Sequence, residues 1–244
     1  MRIPRVFFDG DLVAGSEVEL SRDQAHYLGR VLRLSSGRPL LLFNGLGGEY
    51  SCEIAALDGK RGLIKVLEHL DREAESTLVT CLAIGLSKGD RFDWALQKAT
   101  ELGVTRIQPL FTDRTEVRLP ADRLAKKQAH WQAVVQSACE QSGRTIVPEI
   151  SNPIDISAFC EMSSVAERLI LDPDAQQSLA GFTPADDSSA FELIVGPEGG
   201  LSAQEIEDAN GKGWVSVSMG PRVLRTETAP IVALAVLQSR FGDW

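Results

Sequence analysis

At 244 residues, with 43% hydrophobic and 24% charged side chains, the chain has material for one large domain or two small ones around a real core. Its longest apolar stretches, residues 78–86 and 231–237, are too short to span a bilayer, and residues 1–9 carry no long apolar run. Neither a membrane span nor a signal peptide is expected, and the protein reads as soluble and cytoplasmic. Cys52, Cys81, Cys139 and Cys160 stand far apart with no C-x-x-C, and His26, His69 and His130 are isolated, which argues against disulfides, a zinc knuckle or any other metal site.

The net charge of −9 by itself argues against a nucleic-acid partner, but its distribution is uneven. Lys and Arg balance Asp and Glu ten to ten over residues 1–72, exceed them ten to seven over 88–144, and fall to five against fifteen over 145–244. Basic surface is therefore available on the first two segments.

In chain order, residues 1–72 read as a small β-rich domain. Strands are expected over 5–8, 17–20, 39–43, 49–57 and 62–67, with Asn44-Gly45, Gly47-Gly48 and Asp58-Gly59 as turn signals. One helix interrupts them: Ser21-Arg-Asp-Gln24 is a capping box, and the helix continues to Arg33. Arg22, Arg30, Arg33 and Arg38 make this the most basic piece of the chain. That is either a solvated helix face or an RNA-facing patch on a small barrel. Residues 69–77 are polar and charged and read as a linker.

From residue 78 strands and helices alternate, which implies a largely parallel sheet and an α/β domain over 73–244. Strands are expected over 78–86, 104–110, 146–150, 169–172, 191–195 and 214–219, with helices over 88–102 and 120–142 and a loop over 179–190. In the first helix Phe92, Ala95, Leu96, Ala99 and Leu102 recur at core spacing and Gly103 stands at C′. Lys98 and Glu101, three residues apart, are placed to pair. The last fifth of the chain holds two strand–loop–helix turns. Gly196-Pro197-Glu198-Gly199-Gly200 leads to a capping box, Ser202-Ala-Gln-Glu205. Gly220-Pro221-Arg222-Val223-Leu224-Arg225-Thr226-Glu227 leads to a helix over 226–240. Two such turns point to one ligand site at the carboxyl ends of parallel strands, where glycines admit close backbone approach.

Together, Lys98-Ala-Thr-Glu101-Leu-Gly103, Glu140-Gln-Ser-Gly143-Arg144, Gly196-Pro-Glu-Gly-Gly-Leu201 and Gly220-Pro-Arg-Val-Leu-Arg-Thr-Glu-Thr-Ala229 resemble the bacterial 16S ribosomal RNA uracil-N3 methyltransferases of the SPOUT superfamily. The resemblance runs nearly full length, with His26-Tyr-Leu-Gly-Arg30-Val-Leu-Arg33 at the front. It implies an α/β domain closed by a C-terminal trefoil knot, a PUA-like N-terminal β-barrel, S-adenosylmethionine as cofactor, a homodimer, and a uridine of the small ribosomal subunit as substrate. Leu171, Gly196, Pro197, Glu198, Gly199, Gly200, Met219, Gly220, Val223, Leu224, Arg225, Thr226 and Ala229 are then expected to hold the cofactor. Arg225 is expected to stabilise the uracil oxygens or grip phosphate, with either Glu198 or Glu227 assisting loss of the N3 proton. Arg2, Arg5, Arg30, Arg33, Lys88, Arg91, Arg114 and Arg144 are expected to position RNA through phosphates. The same motifs leave room for a SPOUT enzyme acting on another RNA such as tRNA, and for a non-catalytic RNA-binding assembly protein.

Overall fold

A computed structural model describes residues 3–58, 60–117, 120–185 and 189–244. The chain divides into two compact units, Met1–Glu75 with Cys139–Val147, and Ser76–Ala138 with Pro148–Trp244.

The first unit is a five-stranded curled sheet. β1 (Arg5–Phe7), β2 (Glu17–Leu20), β3 (Pro39–Phe43), β4 (Glu49–Leu57) and β5 (Gly62–Leu70) lie in the order β1-β3-β4-β5-β2, with β1 parallel to β3 and the other pairs antiparallel. Alternate residues point inward: Val6, Leu40, Leu42, Cys52, Ile54, Ile64 and Val66 make its core with Leu20 and Leu28. Register shifts at Ser51/Cys52 and Ile54/Ala56 bend the long β4–β5 pair, as bulges do. β5 continues through His69 and Leu70 because Tyr50 pairs with His69 across the strands, so the expected linker begins later than residue 69.

The capping box at Ser21 forms as its residues predict, Gln24 N donating to Ser21 Oγ at 3.3 Å and Ser21 N to Gln24 Oε1 at 3.0 Å. The helix α1 (Arg22–His26) then widens into a π turn over Tyr27–Val31, where Leu32 N donates to Tyr27 O, five residues back, at 3.0 Å. It ends at Arg33, whose φ of 55° is the only positive value on a non-glycine residue among the described ones.

Segment Cys139–Val147 groups with this unit through long-range hydrogen bonds that no local pattern announces. Arg5 donates to the carbonyls of Cys139 (2.6 Å) and Arg144 (3.0 Å) and pairs with Glu49 at 2.7 Å. Phe7 N donates to the Glu140 carboxylate at 3.0 Å, and Arg144 pairs with Glu75 at 2.6 Å. Gly143, at φ +92°, leaves room for Arg72: a Cβ there would sit 2.8 Å from its guanidinium.

The second unit is a seven-stranded, all-parallel sheet. Its elements are β6 (Val79–Gly85), α2 (Arg91–Glu101), β7 (Arg106–Phe111), α3 (Ala121–Ser142, its last turn grouped with the first unit), β8 (Glu149–Ile150), β9 (Ile154–Asp155), α4 (Ile156–Glu161), β10 (Glu167–Leu171), a 3₁₀ turn at Leu179–Gly181, β11 (Ala190–Val195), α5 (Ala203–Gly211), β12 (Val215–Val217) and α6 (Ala229–Phe241). The strand order is β12-β10-β11-β6-β7-β8, with β9 also on β7. The central strands read as near-continuous apolar runs because both faces are covered. β9 and α4 were absent from the sequence reading. They are short, yet Ile156, Phe159 and Cys160 meet the helical spacing and all three are buried against Ile170, Ile194 and Trp214. The last helix starts at Ala229 rather than Thr226, because Thr228 N and Ala229 N both turn back to Arg225 O at 2.9 Å.

Candidate active site

Parallel pairing brings the carboxyl ends of β6, β10, β11 and β12 to one edge. Leu171 is in register with Val217, and Val195 with Ile84. The loops leaving β10, β11 and β12 enclose a cavity of about 640 Å³, within the roughly 300–1,000 Å³ common for small-molecule sites.

The loop after β11 is held close on several sides. Gly200 N donates to Pro197 O at 2.8 Å with Gly200 at φ +72°. A Cβ on Gly85, at the end of β6, would fall 2.6 Å from Pro197 Cδ, so only glycine lets the loop approach. Thr226 Oγ1 donates to Gly196 O at 2.8 Å and ties the second loop to the first. Arg114 donates to Gly199 O at 2.8 Å. The capping box at Ser202 extends to the β7 loop: Ser202 Oγ donates to Asp113 Oδ2, and Asp113 N to Glu205 Oε1, both at 2.8 Å.

The two candidate carboxylates differ. Glu198 Oε1 accepts from Lys88 N at 2.9 Å and from Arg91 at 3.0 Å. Burial works to raise its pKa, but the backbone N–H groups of Glu198 and Lys88, together with Arg91, outweigh it and hold the carboxyl below the ordinary 4.5. Glu227 also lines the cavity, and its Oε2 is buried with no hydrogen-bond partner among the described residues. A buried, unpaired carboxylate oxygen asks for a donor or a cation from a ligand. The cysteines are free and buried, and burial pushes the thiols of Cys52 and Cys81 up to about 11 and of Cys139 to about 12, so none of these is a thiolate nucleophile at neutral pH.

All the residues expected to hold cofactor line this cavity: Leu171, Gly196, Pro197, Glu198, Gly199, Gly200, Met219, Gly220, Val223, Leu224, Arg225, Thr226 and Ala229. Arg91 and Arg114, expected to meet RNA, line it too. Lys88 is exposed and pairs with Glu116. Arg30 and Arg33 are exposed on the first unit. Arg5 and Arg144 are not placed for phosphate: their side chains are only 5% and 6% exposed and their donors are taken within the first unit. Arg2 lies outside the described residues. Lys98 and Glu101 pair with each other at 2.7 Å. The sequence reading missed Asp172, Asp174 and Arg222 on the cavity wall. Their signal was position alone, directly after a strand end or inside the second loop. Among the described residues no cluster could hold a metal, and no helix is long and apolar enough to cross a membrane.

The cavity suits S-adenosylmethionine. Its walls are glycine loops that admit close backbone approach. Residues 74–238 match a family model described as an RNA methyltransferase domain, and residues 20–67 match an RNA methyltransferase PUA domain. The chain is 33% identical over 243 residues to ribosomal RNA small subunit methyltransferase E of Buchnera aphidicola subsp. Schizaphis graminum, covering 99% of this chain and 98% of that one. It is 35% identical over 226 residues to the Synechocystis protein of that name, covering 91% and 73%. Among solved structures, ribosomal RNA small subunit methyltransferase E from Neisseria gonorrhoeae bound to S-adenosyl methionine superposes with a TM-score of 0.92 at 36% identity, covering all of both chains. The α/β unit is thus of the SPOUT type, with a PUA-like unit before it. Parallel strand ends, glycine loops and full-length likeness converge, and the chain belongs to the RNA methyltransferase family that includes the ribosomal RNA small subunit methyltransferase E proteins.

Proposed function

We propose that this protein methylates N3 of a specific uridine in 16S ribosomal RNA, with S-adenosylmethionine as methyl donor. The observation that carries the chemistry is the cavity at the parallel strand ends, walled by both motifs with Glu227 among its lining residues. The ribosomal substrate rests on relatives of that name over nearly the whole chain.

When bound, S-adenosylmethionine supplies an electrophilic methyl group. The loops at Gly196–Gly200 and Met219–Thr226 hold it through backbone groups, and Leu171 gives an apolar wall. N3 of uracil carries a proton at neutral pH, so a group must take it as the N–C bond forms. Glu227 is the acceptor we favour. Glu198, already satisfied by two neighbouring donors and held at a lowered pKa, is a weak base and instead positions Lys88 and Arg91. Arg225, exposed at the cavity rim, neutralises charge spreading to O2 and O4 or grips the adjacent phosphate. Base pairing hides N3, so the uridine enters unpaired or flipped. Arg30, Arg33, Lys88, Arg91 and Arg114 position the RNA. The unit Met1–Glu75 with Cys139–Val147, in place of the expected 1–72, is the RNA-binding one, the unit of Ser76–Ala138 with Pro148–Trp244 is the methyltransferase, and the enzyme works in the cytoplasm as a homodimer.

The test is transfer of labelled methyl to small subunits lacking the modification, to free 16S rRNA and to bulk tRNA, with digestion to nucleosides. N3-methyluridine on the subunit or its rRNA is the expected product. Label confined to tRNA replaces the substrate, and cofactor binding without any transfer overturns the enzymatic reading.

A further inference from the structure

The first unit carries a second pocket, of about 540 Å³, lined by Arg22, Asp23, His26, Arg30, Asp58 and Lys60. Three of these are permanent cations; among the described residues Arg22, Arg30 and Lys60 form no salt bridge, and the Lys60 ammonium acts on Asp58 only through the Coulomb field between them. Of the two acids, Asp58 is turned to its own backbone, its Oδ1 accepting from Lys60 N and Arg61 N at 2.8 Å each.

The backbone explains why the cations converge. Arg22, His26 and Arg30 recur every fourth residue. In an α-helix a four-residue step overshoots one turn, of about 3.6 residues, so a third side chain would drift off the line. Here the step from His26 to Arg30 falls in the π turn Tyr27–Val31, whose turn takes more than four residues and rotates the side chain back. Arg30 therefore returns toward the line of Arg22. The π turn and the left-handed Arg33 that closes it, φ 55°, are both costly local conformations, kept although a plain α-helix would fit the capping box. Such conformations concentrate at functional sites. Lys60, from the turn between β4 and β5, closes the other side of the pocket.

We propose that this pocket binds a phosphodiester of the substrate RNA, through Arg22, Arg30 and Lys60 with His26 between them. The inference rests on the reading of the protein as an RNA methyltransferase. To Arg22 and Arg30 of the basic patch it adds His26 and Lys60 as RNA-contacting residues. Three cations around a concavity that holds two acids, one of them already satisfied by backbone N–H groups, leave a positive potential that suits a phosphate, which carries no sequence information.

The test compares wild type with Arg22→Gln/Lys60→Gln, and with the charge-preserving Arg22→Lys/Lys60→Arg, using a fluorescent single-stranded 16S rRNA fragment titrated at several salt concentrations. Two lost phosphate contacts should flatten the slope of log K against log salt by about 1.4, at roughly 0.7 per contact on single strands. The charge-preserving pair should restore it. In methyl transfer, KM for RNA should rise while kcat and S-adenosylmethionine affinity stay as in wild type. An unchanged salt slope in the Gln variant overturns the pocket even if the wild type methylates rRNA normally. Wild-type binding and a flattened slope with no methyl transfer would keep the pocket and sink the enzymatic reading instead.

Discussion

Glu198 and Glu227 are separated by their surroundings. Both stand in Gly- or Thr-flanked loops on the wall of one cavity, yet Glu198 is satisfied by Lys88 N and Arg91 while Glu227 keeps an oxygen without a partner. Replacing Glu227 by Gln should lower kcat by about 10²–10⁴-fold, the usual worth of a general base, while leaving cofactor affinity within a few fold, measured by calorimetry and single-turnover transfer. Glu198→Gln should act differently. A carboxyl lowered on folding contributes stability that is fully present above the ordinary 4.5 and is lost as pH falls through its lower folded value. The melting temperature of Glu198→Gln should therefore lie below wild type at pH 7, and the gap should narrow as the pH is lowered from 4.5 toward 3. A gap of equal size at both pH values would mean that packing rather than charge makes the difference.

Among the elements, the loop after β11 depends on a residue five strands earlier in sequence. Gly85 ends β6, and any side chain there meets Pro197 at 2.6–2.7 Å. Gly85→Ala should cost about 1–3 kcal/mol by overpacking and weaken S-adenosylmethionine binding by roughly tenfold, about 1.4 kcal/mol, because the glycine loop is pushed from its seat. Thermal melts and a binding isotherm check both; unchanged affinity would place the cofactor elsewhere. The same dependence on distant partners holds in the first unit, where Arg5 reaches carbonyls 134 and 139 residues away. A charge that reads as a surface arginine in the sequence is an internal tie.

For the whole molecule, net charge −9 and RNA binding coexist because the acidic excess lies in residues 145–244, apart from Glu73 and Glu75. Cofactor binding to the folded state alone should stabilise it by mass action. At about 100 times Kd, S-adenosylmethionine should add about 2.7 kcal/mol, at about 2–4 °C per kcal/mol for a domain of 150–250 residues. A differential scanning titration reads the shift. No shift at any concentration, against a normal melt, would remove the cofactor from the proposed chemistry.

The sequence by itself determined most elements, both capping boxes and the two loop motifs, because apolar period, turn residues and caps act over a few neighbours. Ser21 with Gln24, Ser202 with Glu205, and Gly103 at φ +85° all formed where their local chemistry placed them. The resemblance carried by those motifs reached the family as well. Only the tertiary structure decided what depends on distant partners. It buried Arg5 and Arg144 against Glu49 and Glu75, continued β5 to Leu70, and paired β9 with β7. It engaged one cavity carboxylate and left the other unpaired, since burial and charge pairing are set by residues far apart in the chain.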